Sequence, residues 1–204
     1  VSETVFYNQG RRKITTQQTH HEDILPQPTI YVEEAKLVFK DNQYYIIGEM
    51  QNVDYFPGAI SLKAVLYDKD NNELATYSSK FQNKHYLNPF EKSVFKINFE
   101  EVAWIDTDKV DKSFNPDEFH IKIFDTKPAK FVLHLSSTTA IKNLYQYSQV
   151  NDLYCTNTSV NGMLFNAGNR EVTIPLLLFS YYKNDEIIWI DHQFVQESVR
   201  PHRK

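Results

Sequence analysis

The hydrophobic and polar positions along most of the chain follow the short, alternating pattern of β-strands. From Glu33 onward, runs of β-branched and aromatic residues are separated by turns rich in Asn and Asp. Residues 35–39 and 44–48 flank the pair Asp41-Asn42, and both of these residue types tolerate the positive φ angles of a tight hairpin. The pattern therefore predicts a first β-hairpin at this point.

The same pattern continues through four further apolar runs. Residues 62–67 and 74–81 flank the polar segment 68–72, while residues 94–99 and 119–124 form two later runs. Six short strands within about 90 residues are typical of a β-sandwich. Residues 139–147 are expected to form a short helix between modules, and the polar, poorly periodic start of the chain is expected to be an extended arm.

An internal repeat relates the two halves of the chain. Gly48 and Gly162 are 114 positions apart, and in each copy a strand ends in Gly-x-x-x-Asn and leads through a turn into an apolar strand and a polar hairpin. At the same offset the matched pairs are Met50 with Leu164, Asn52 with Asn166, Leu62 with Leu176, Tyr67 with Tyr181, and Lys69 with Lys183. The repeat predicts two related sandwiches in tandem.

The first copy also resembles a known family. The residues that carry the resemblance are Ile47-Gly48-Glu49-Met50-Gln51-Asn52, then Leu62-Lys63-Ala64-Val65-Leu66-Tyr67-Asp68-Lys69-Asp70-Asn71-Asn72-Glu73-Leu74, then Leu87-Asn88-Pro89-Phe90-Glu91-Lys92-Ser93-Val94-Phe95. They are similar to the FxLYD type of bacterial immunoglobulin-like domain, although Asn72 and Phe90 stand where that family usually has Gly. The second copy, residues 151–204, resembles the same family more loosely, with Leu178-Phe179-Ser180-Tyr181 in place of the signature tetrapeptide. The resemblance implies a non-catalytic, extracytoplasmic module of envelope or secreted proteins, and it brings no site residues.

The predicted organisation has three parts. Residues 1–30 form the extended polar arm, residues 31–126 a first immunoglobulin-like β-sandwich, and residues 127–204 a second, incomplete one. In the first copy Leu87-Asn88-Pro89 leads into further strands, whereas its counterpart Val199-Arg200-Pro201 is followed by three residues. We therefore expect the second sandwich to have an open sheet edge, completed by residues outside this sequence or by another chain.

Composition and charge exclude several classes of function. The 204 residues are 41% hydrophobic and 24% charged, with a formal net charge of −4, which lacks the basic surplus of a nucleic-acid-binding surface. No apolar run is long enough to span a membrane. The five glycines are too dispersed for a phosphate-binding loop, and Cys155 is the only cysteine, so neither an intrachain disulfide nor a cysteine-based zinc site can form.

Three polar clusters could supply metal ligands, and each has a commoner explanation. Asp68-x-Asp70-x-Asn72 begins like a calcium loop but lacks the required Gly and bidentate Glu, so a hairpin turn is the simpler interpretation. The loop from Asp106 to Glu118 has carboxylates that could bind calcium, which the sequence leaves open, and interleaved lysines typical of a solvated loop. The pair His20-His21 lies in the polar arm. We expect no metal site and no cofactor.

Catalysis is not expected either. Serine, histidine and acidic residues are present, but no motif positions them as a triad. His134 lies in the apolar run 131–135, where an outward strand position or a satisfied core histidine is the simpler explanation.

The abundance of aromatic residues is the remaining functional signal. The chain has fourteen Phe, thirteen Tyr and two Trp, and adjacent rings on a strand must point to opposite faces. We expect Tyr55, Phe56 and Trp189 to be exposed and to contact a partner protein. The predicted function is a structural or protein-interaction module, a docking subunit or spacer of a cell-envelope assembly located in the periplasm or at the cell surface. The alternative is a carbohydrate-binding module that uses the same exposed rings.

Overall fold

The computed structural model describes residues 3–6, 12–14, 27–78, 86–99, 104–105, 122–123, 126–139, 148–156 and 159–203. Every regular element within these ranges is a β-strand, and the larger sheets are antiparallel. The all-β, sandwich-like fold class predicted from the sequence is thereby confirmed.

The described residues form fifteen strands in two compact units. The first eleven are β1 (Glu3–Phe6), β2 (Arg12–Ile14), β3 (Ile30–Lys40), β4 (Gln43–Asn52), β5 (Gly58–Tyr67), β6 (Glu73–Ser78), β7 (Tyr86–Leu87), β8 (Lys92–Asn98), β9 (Trp104–Ile105), β10 (Lys122–Ile123) and β11 (Lys130–Thr139). The last four are β12 (Ser148–Cys155), β13 (Val160–Asn166), β14 (Leu176–Lys183) and β15 (Glu186–Phe194). The first unit comprises Val1–Ala140 and Ser180–Ile190, and the second comprises Ile141–Phe179 and Asp191–Lys204.

Two sheets form the sandwich of the first unit. One has the order β1-β11-β5-β6, with β7 also paired to β5, and the other has the order β2-β3-β4-β8. Inward side chains recur at every second position, because successive residues of a strand point to opposite faces. Along β5 these are Ile60, Leu62, Ala64 and Leu66, which share the core with Ile46, Met50, Phe95 and Ile97 of the facing sheet.

The predicted hairpins are confirmed. β3 and β4 pair in antiparallel register up to Lys40 opposite Gln43, and Asp41 and Asn42 between them have φ angles of 50° and 60°. Positive φ at both central residues gives the turn the twist of the flanking strands, which is why Asn and Asp occupy it. β5 and β6 also pair as expected, on either side of the turn that begins at Asp68.

Several predicted boundaries differ from the structure. Within the predicted arm, β1 pairs with β11 and β2 pairs with β3, so short polar segments extend both sheets. The first unit continues past residue 126, because β11 pairs with β5 over ten residues. Thr139 ends β11 rather than starting a helix, and residues 140–147 lie outside the described residues. Of the predicted strand 119–124, the described part is β10, which pairs in parallel with β9.

The outer face of the sheet β2-β3-β4-β8 is also covered by apolar side chains. Tyr45 and Ile47 point away from the main core and pack with Ile187 and Ile190 in a separate apolar cluster, with Trp189 against it. These covering residues lie in the 180–190 segment, which belongs to the first unit. The uninterrupted apolar run Tyr44-Tyr45-Ile46-Ile47 is typical of a strand buried on both faces.

The second unit contains a smaller antiparallel pair. β12 and β13 are in register from Ser148 opposite Asn166, with a bulge between Asn151 and Tyr154. Beyond β13, Val172 and Val199 form an isolated antiparallel bridge, and the amide of Val195 donates to the carbonyl oxygen of Pro175 at 2.9 Å.

Candidate interaction site

A buried asparagine fixes the loops at the end of β4. The side-chain amide of Asn52 donates to the carbonyl oxygens of Phe56 at 2.9 Å, Leu87 at 3.3 Å and Asn88 at 3.2 Å. Its Oδ1 atom accepts the backbone N–H of Asp54 at 3.0 Å. A fully buried amide is favourable only when such partners satisfy it, so Asn52 holds two loops against one strand end.

Asn166 repeats this arrangement in the second unit. Its amide donates to the carbonyl oxygens of Arg170 at 2.7 Å and Val199 at 2.9 Å, and its Oδ1 atom accepts the N–H of Gly168 at 2.9 Å. Arg170 and Gly168 are 114 positions after Phe56 and Asp54. The two copies found in the sequence therefore share their buried hydrogen bonds as well as their order of elements.

The turn after each asparagine-bound loop has the same backbone conformation. Phe90 has φ = 61° and its counterpart His202 has φ = 55°, while the N–H of Glu91 bonds to the Asn88 carbonyl at 3.1 Å as that of Arg203 bonds to Arg200 at 3.2 Å. Left-handed backbone favours Gly, and non-Gly residues adopt it only where surrounding bonds hold the turn. The turn geometry thus persists at Phe90, although the resembled family has Gly there.

Tyr55 and Phe56 have different environments. Tyr55 is 85% exposed, and its ring meets that of the exposed Phe90 edge to face, with centroids 4.9 Å apart and an interplanar angle of 90°. Phe56 is only half-buried, and its carbonyl oxygen is one of the acceptors of Asn52. Of this predicted pair, Tyr55 alone presents a largely exposed ring.

Trp189 is half-buried within the first unit rather than exposed. Its ring packs edge-on against Tyr45 at 5.0 Å, and Lys40 and Lys96 place their Nζ atoms 4.0 Å and 4.2 Å from its centroid. Lys96 is itself buried and donates to the carbonyl oxygen of Ile190 at 3.0 Å. Two cations over one indole stabilise the packing of residues 180–190 on β4, a role that the sequence did not indicate for either lysine.

The three predicted contact residues do not form one site. Trp189 packs on Tyr45 near the start of β4, whereas Tyr55 and Phe56 follow Asn52 at the end of that strand. Seven residues of extended strand separate Tyr45 from Asn52, which is roughly 23 Å. Tyr55 and Trp189 therefore belong to different parts of the first unit.

The Asp68 carboxylate supports a turn rather than a metal ion. Its Oδ1 atom accepts the N–H groups of Asp70 and Asn72, each at 2.8 Å, and its Oδ2 atom accepts the Asn72 side-chain amide at 2.9 Å. The side-chain hydrogen bond from Asn72 is the main cause that lowers the pKa of Asp68. The ionised carboxylate is thus a structural part of the β5–β6 turn.

This arrangement predicts a pH-dependent stability. Because the folded-state pKa of Asp68 lies below the value of about 3.9 expected in an unfolded chain, its contribution is present above that value. The contribution is lost as the pH falls through the folded-state pKa. We expect Asp68→Asn to lower the urea midpoint at pH about 6 and to converge on the wild type near pH about 2. A constant difference across this range would contradict the role of the charge.

The remaining ligand candidates add no site. Among the described residues, no group of three or more His, Cys, Asp or Glu side chains could hold a metal ion. His20, His21 and the loop from Asp106 to Glu118 lie outside these residues. His134 is half-buried on β11 opposite Lys63, and burial, followed by the charge of Lys63, lowers its pKa.

Exposed apolar side chains occur in both units, and in the second unit no candidate had been predicted apart from the open edge. Leu153 and Tyr154 are each 61% exposed and lie at the bulge of β12, and Ile174 is 60% exposed before β14. Val150 and Val160 are exposed on the paired strands β12 and β13. The repeat in the sequence could have identified Val160, because it places Val160 at the position of the core residue Ile46.

Comparison with known proteins finds a distant structural likeness. No family model matches the chain, and no curated protein matches it. The crystal structure of a DUF1425 family member from Shewanella sp. pv-4 is 10% identical, with the alignment covering 69% of this chain and 99% of that chain at a TM-score of 0.33. Within the described residues, no helix is long and apolar enough to cross a membrane.

Proposed function

We propose that this protein is a non-catalytic protein-interaction module that docks on a larger assembly. The observation that carries the proposal is the set of exposed apolar side chains in the second unit, which includes Leu153, Tyr154 and Ile174. Leu153 and Tyr154 are neighbours at the bulge of β12, and adjacent exposed apolar side chains are typical of a surface that another polypeptide covers. The resemblance of the first copy to FxLYD-type domains supports placing that assembly at a bacterial cell envelope.

The geometry of the exposed rings favours a polypeptide partner over a carbohydrate. A sugar ring stacks on the open, flat face of an aromatic side chain. Tyr55 and Phe90 instead stand perpendicular to each other, so this exposed pair offers no continuous flat platform.

Site-specific photo-cross-linking in the native cells tests the docking function. A benzoylphenylalanine at position 154 is expected to give one reproducible adduct with a different polypeptide, identified by mass spectrometry. The same probe at Thr76, which is exposed on β6 of the first unit, is the matched control and is expected to give none. Leu153→Asp is expected to abolish the adduct from position 154. Equal adducts from both positions, or none from position 154, would contradict the proposal.

A further inference from the structure

The buried side chain of Asn166 brings two arginine-bearing loops to one end of the second unit. Its amide donates to the carbonyl oxygen of Arg170 at 2.7 Å. The backbone N–H of Asn166 donates to the carbonyl oxygen of Arg203 at 3.1 Å, and its carbonyl oxygen accepts the N–H of His202 at 2.8 Å. The N–H of Arg203 in turn donates to the carbonyl oxygen of Arg200 at 3.2 Å. Three arginines therefore start from backbone positions gathered around one buried residue.

Arginine is concentrated at this end of the unit, which we call the arginine tip (residues 166–171 and 199–203). Only five of the 22 Lys and Arg residues of the chain are arginines, and three of those five are Arg170, Arg200 and Arg203. All three side chains are exposed. Within the part of the chain that the structure describes, none of their guanidinium groups takes part in a hydrogen bond or an ion pair.

The acidic residues closest in sequence do not pair with these arginines. Glu171 follows Arg170, but its Oε1 atom accepts the hydroxyl of Ser198 at 2.5 Å. Glu197 is exposed and, like Glu171, forms no ion pair among the described residues. Each guanidinium therefore retains its five N–H donors for a ligand from solution.

The first copy has the same backbone arrangement without the charge. Its asparagine, Asn52, holds two loops with hydrogen bonds equivalent to those of Asn166. The residues at the positions of the three arginines are there an aromatic, an amide and an acidic residue, namely Phe56, Asn88 and Glu91. The fold therefore does not require arginine at any of these positions, so their presence in the second copy needs another reason.

A neighbouring strand leaves this end of the fold open. In the first copy β8 begins beside the end of β4 and runs back along it toward Tyr45, away from the loops. Tyr55 and Phe90 of those loops remain 85% and 50% exposed. The exposure of the arginine tip is thus a property of this end of the fold, whichever strand pairs with β13.

We infer that Arg170, Arg200 and Arg203 bind a phosphate group, carried either by a soluble phosphate ester or by a lipid headgroup. A guanidinium presents its N–H donors as a flat fork that matches two phosphate oxygens, and a phosphate has oxygens for more than one fork. A single fork already engages both oxygens of a carboxylate. Three arginines on one framework therefore favour phosphate, and the net charge of −4 on the chain disfavours a long nucleic acid as its carrier.

This site goes beyond the proposed docking function and does not rest on it. Tyr154 lies opposite Asn161, whereas the arginine tip surrounds Asn166, five residues further along β13. Five residues of extended strand span roughly 16 Å. Loss of the cross-link at position 154 and loss of phosphate binding are therefore separate results.

Titration of the full chain with inorganic phosphate at constant ionic strength tests the site, with backbone amide shifts as the measurement. We expect saturable shift changes at residues 166–171 and 199–203. Residues 52–57 and 88–91 of the first copy provide the internal control, because the same backbone there carries no arginine. Absence of a saturable change, or equal changes in the two copies, would overturn the inference.

Two triple variants separate this site from the general charge of the surface. Replacing Arg170, Arg200 and Arg203 together by Gln is expected to weaken phosphate binding by about tenfold or more. The matched control removes the same charge elsewhere, by replacing three exposed lysines with Gln, and should keep the affinity within about twofold. Those lysines are Lys63, Lys69 and Lys183. Equal losses in the two variants would contradict a localised site. Circular dichroism confirms that each variant is folded.

Replacement of the three arginines by Lys tests the guanidinium geometry. Lysine keeps the positive charge but lacks the planar fork, so phosphate binding is expected to weaken by about fivefold. Binding as tight as that of the wild type would show that charge alone attracts the anion, and would overturn a site built on arginine forks.

Vesicles identify the carrier of the phosphate group. The full chain is sedimented with vesicles of phosphatidylcholine, with and without phosphatidylglycerol. Co-sedimentation that requires phosphatidylglycerol and is lost in the triple Gln variant supports the inference with a lipid headgroup as the carrier. Saturable binding of inorganic phosphate without co-sedimentation supports it with a soluble phosphate ester as the carrier. Co-sedimentation that the triple Gln variant retains, without phosphate-dependent shift changes, overturns it.

Discussion

Asn52→Ala is expected to lower the free energy of unfolding by about 3 kcal/mol. The substitution removes an amide that satisfies the carbonyl oxygens of Phe56, Leu87 and Asn88 in a buried site. The acceptors that remain lose their partner without gaining access to water, which costs more than the net value of the bonds themselves. Urea unfolding of the full chain measures the effect.

Two further variants define the role of the side chain. Asn52→Asp keeps the size and the acceptor but replaces the donating amide by a carboxylate, so it is expected to destabilise the protein at least as much as Asn52→Ala. Asn166→Ala should reduce hydrogen-exchange protection in the second unit, because Asn166 makes the equivalent hydrogen bonds there. If Asn52→Ala changed stability by less than about 1 kcal/mol, its loops would be held by other contacts.

Gly48→Ala is expected to be comparably severe, at about 3 kcal/mol. An added Cβ would lie 2.1 Å from the backbone oxygen of Glu34 and 2.6 Å from the Phe95 ring. Glu34 sits beside the bulge of β3, and its backbone cannot move without breaking the pairing with β4. Thermal unfolding and hydrogen exchange across β3 and β4 measure the damage.

Gly162→Ala is the matched control for this substitution. Its added Cβ meets the Cγ1 atom of Val150 at 2.9 Å, and Val150 is an exposed side chain that can rotate away. We expect a loss of under about 1 kcal/mol. Similar losses for both variants would show that backbone crowding at Gly48 is not the cause.

Local patterns in the sequence predicted the hairpins because the causes of a hairpin are local. Asp41 and Asn42 favour a tight turn by their own conformational preferences, and period-two alternation defines the inward face of β5. The pairings of β1, β2 and β11 were not predictable in this way. They depend on partners far along the chain, and short polar strands such as β2 have no periodicity of their own.

The candidate site was predicted only in part for a related reason. The sequence shows that Tyr55 and Trp189 are aromatic, but their exposure depends on which segment covers them. Trp189 is enclosed by Tyr45, Lys40 and Lys96, which come from strands more than 90 residues away. The repeat matched Asn52 with Asn166, but their burial and hydrogen bonds were not predicted, because the acceptors lie on loops whose positions depend on the fold.

The covering layer formed by residues 180–190 has a consequence for how the protein is made. During synthesis, the first 140 residues emerge with the outer faces of Tyr45 and Ile47 still bare, and the residues that cover them follow about 40 positions later. A polypeptide ending at Ala140 would keep the main core yet present these side chains to water and to other chains. Residues 180–190 complete the first unit, but they follow residues 141–179 of the second unit. A single cut in the polypeptide therefore cannot separate the two units.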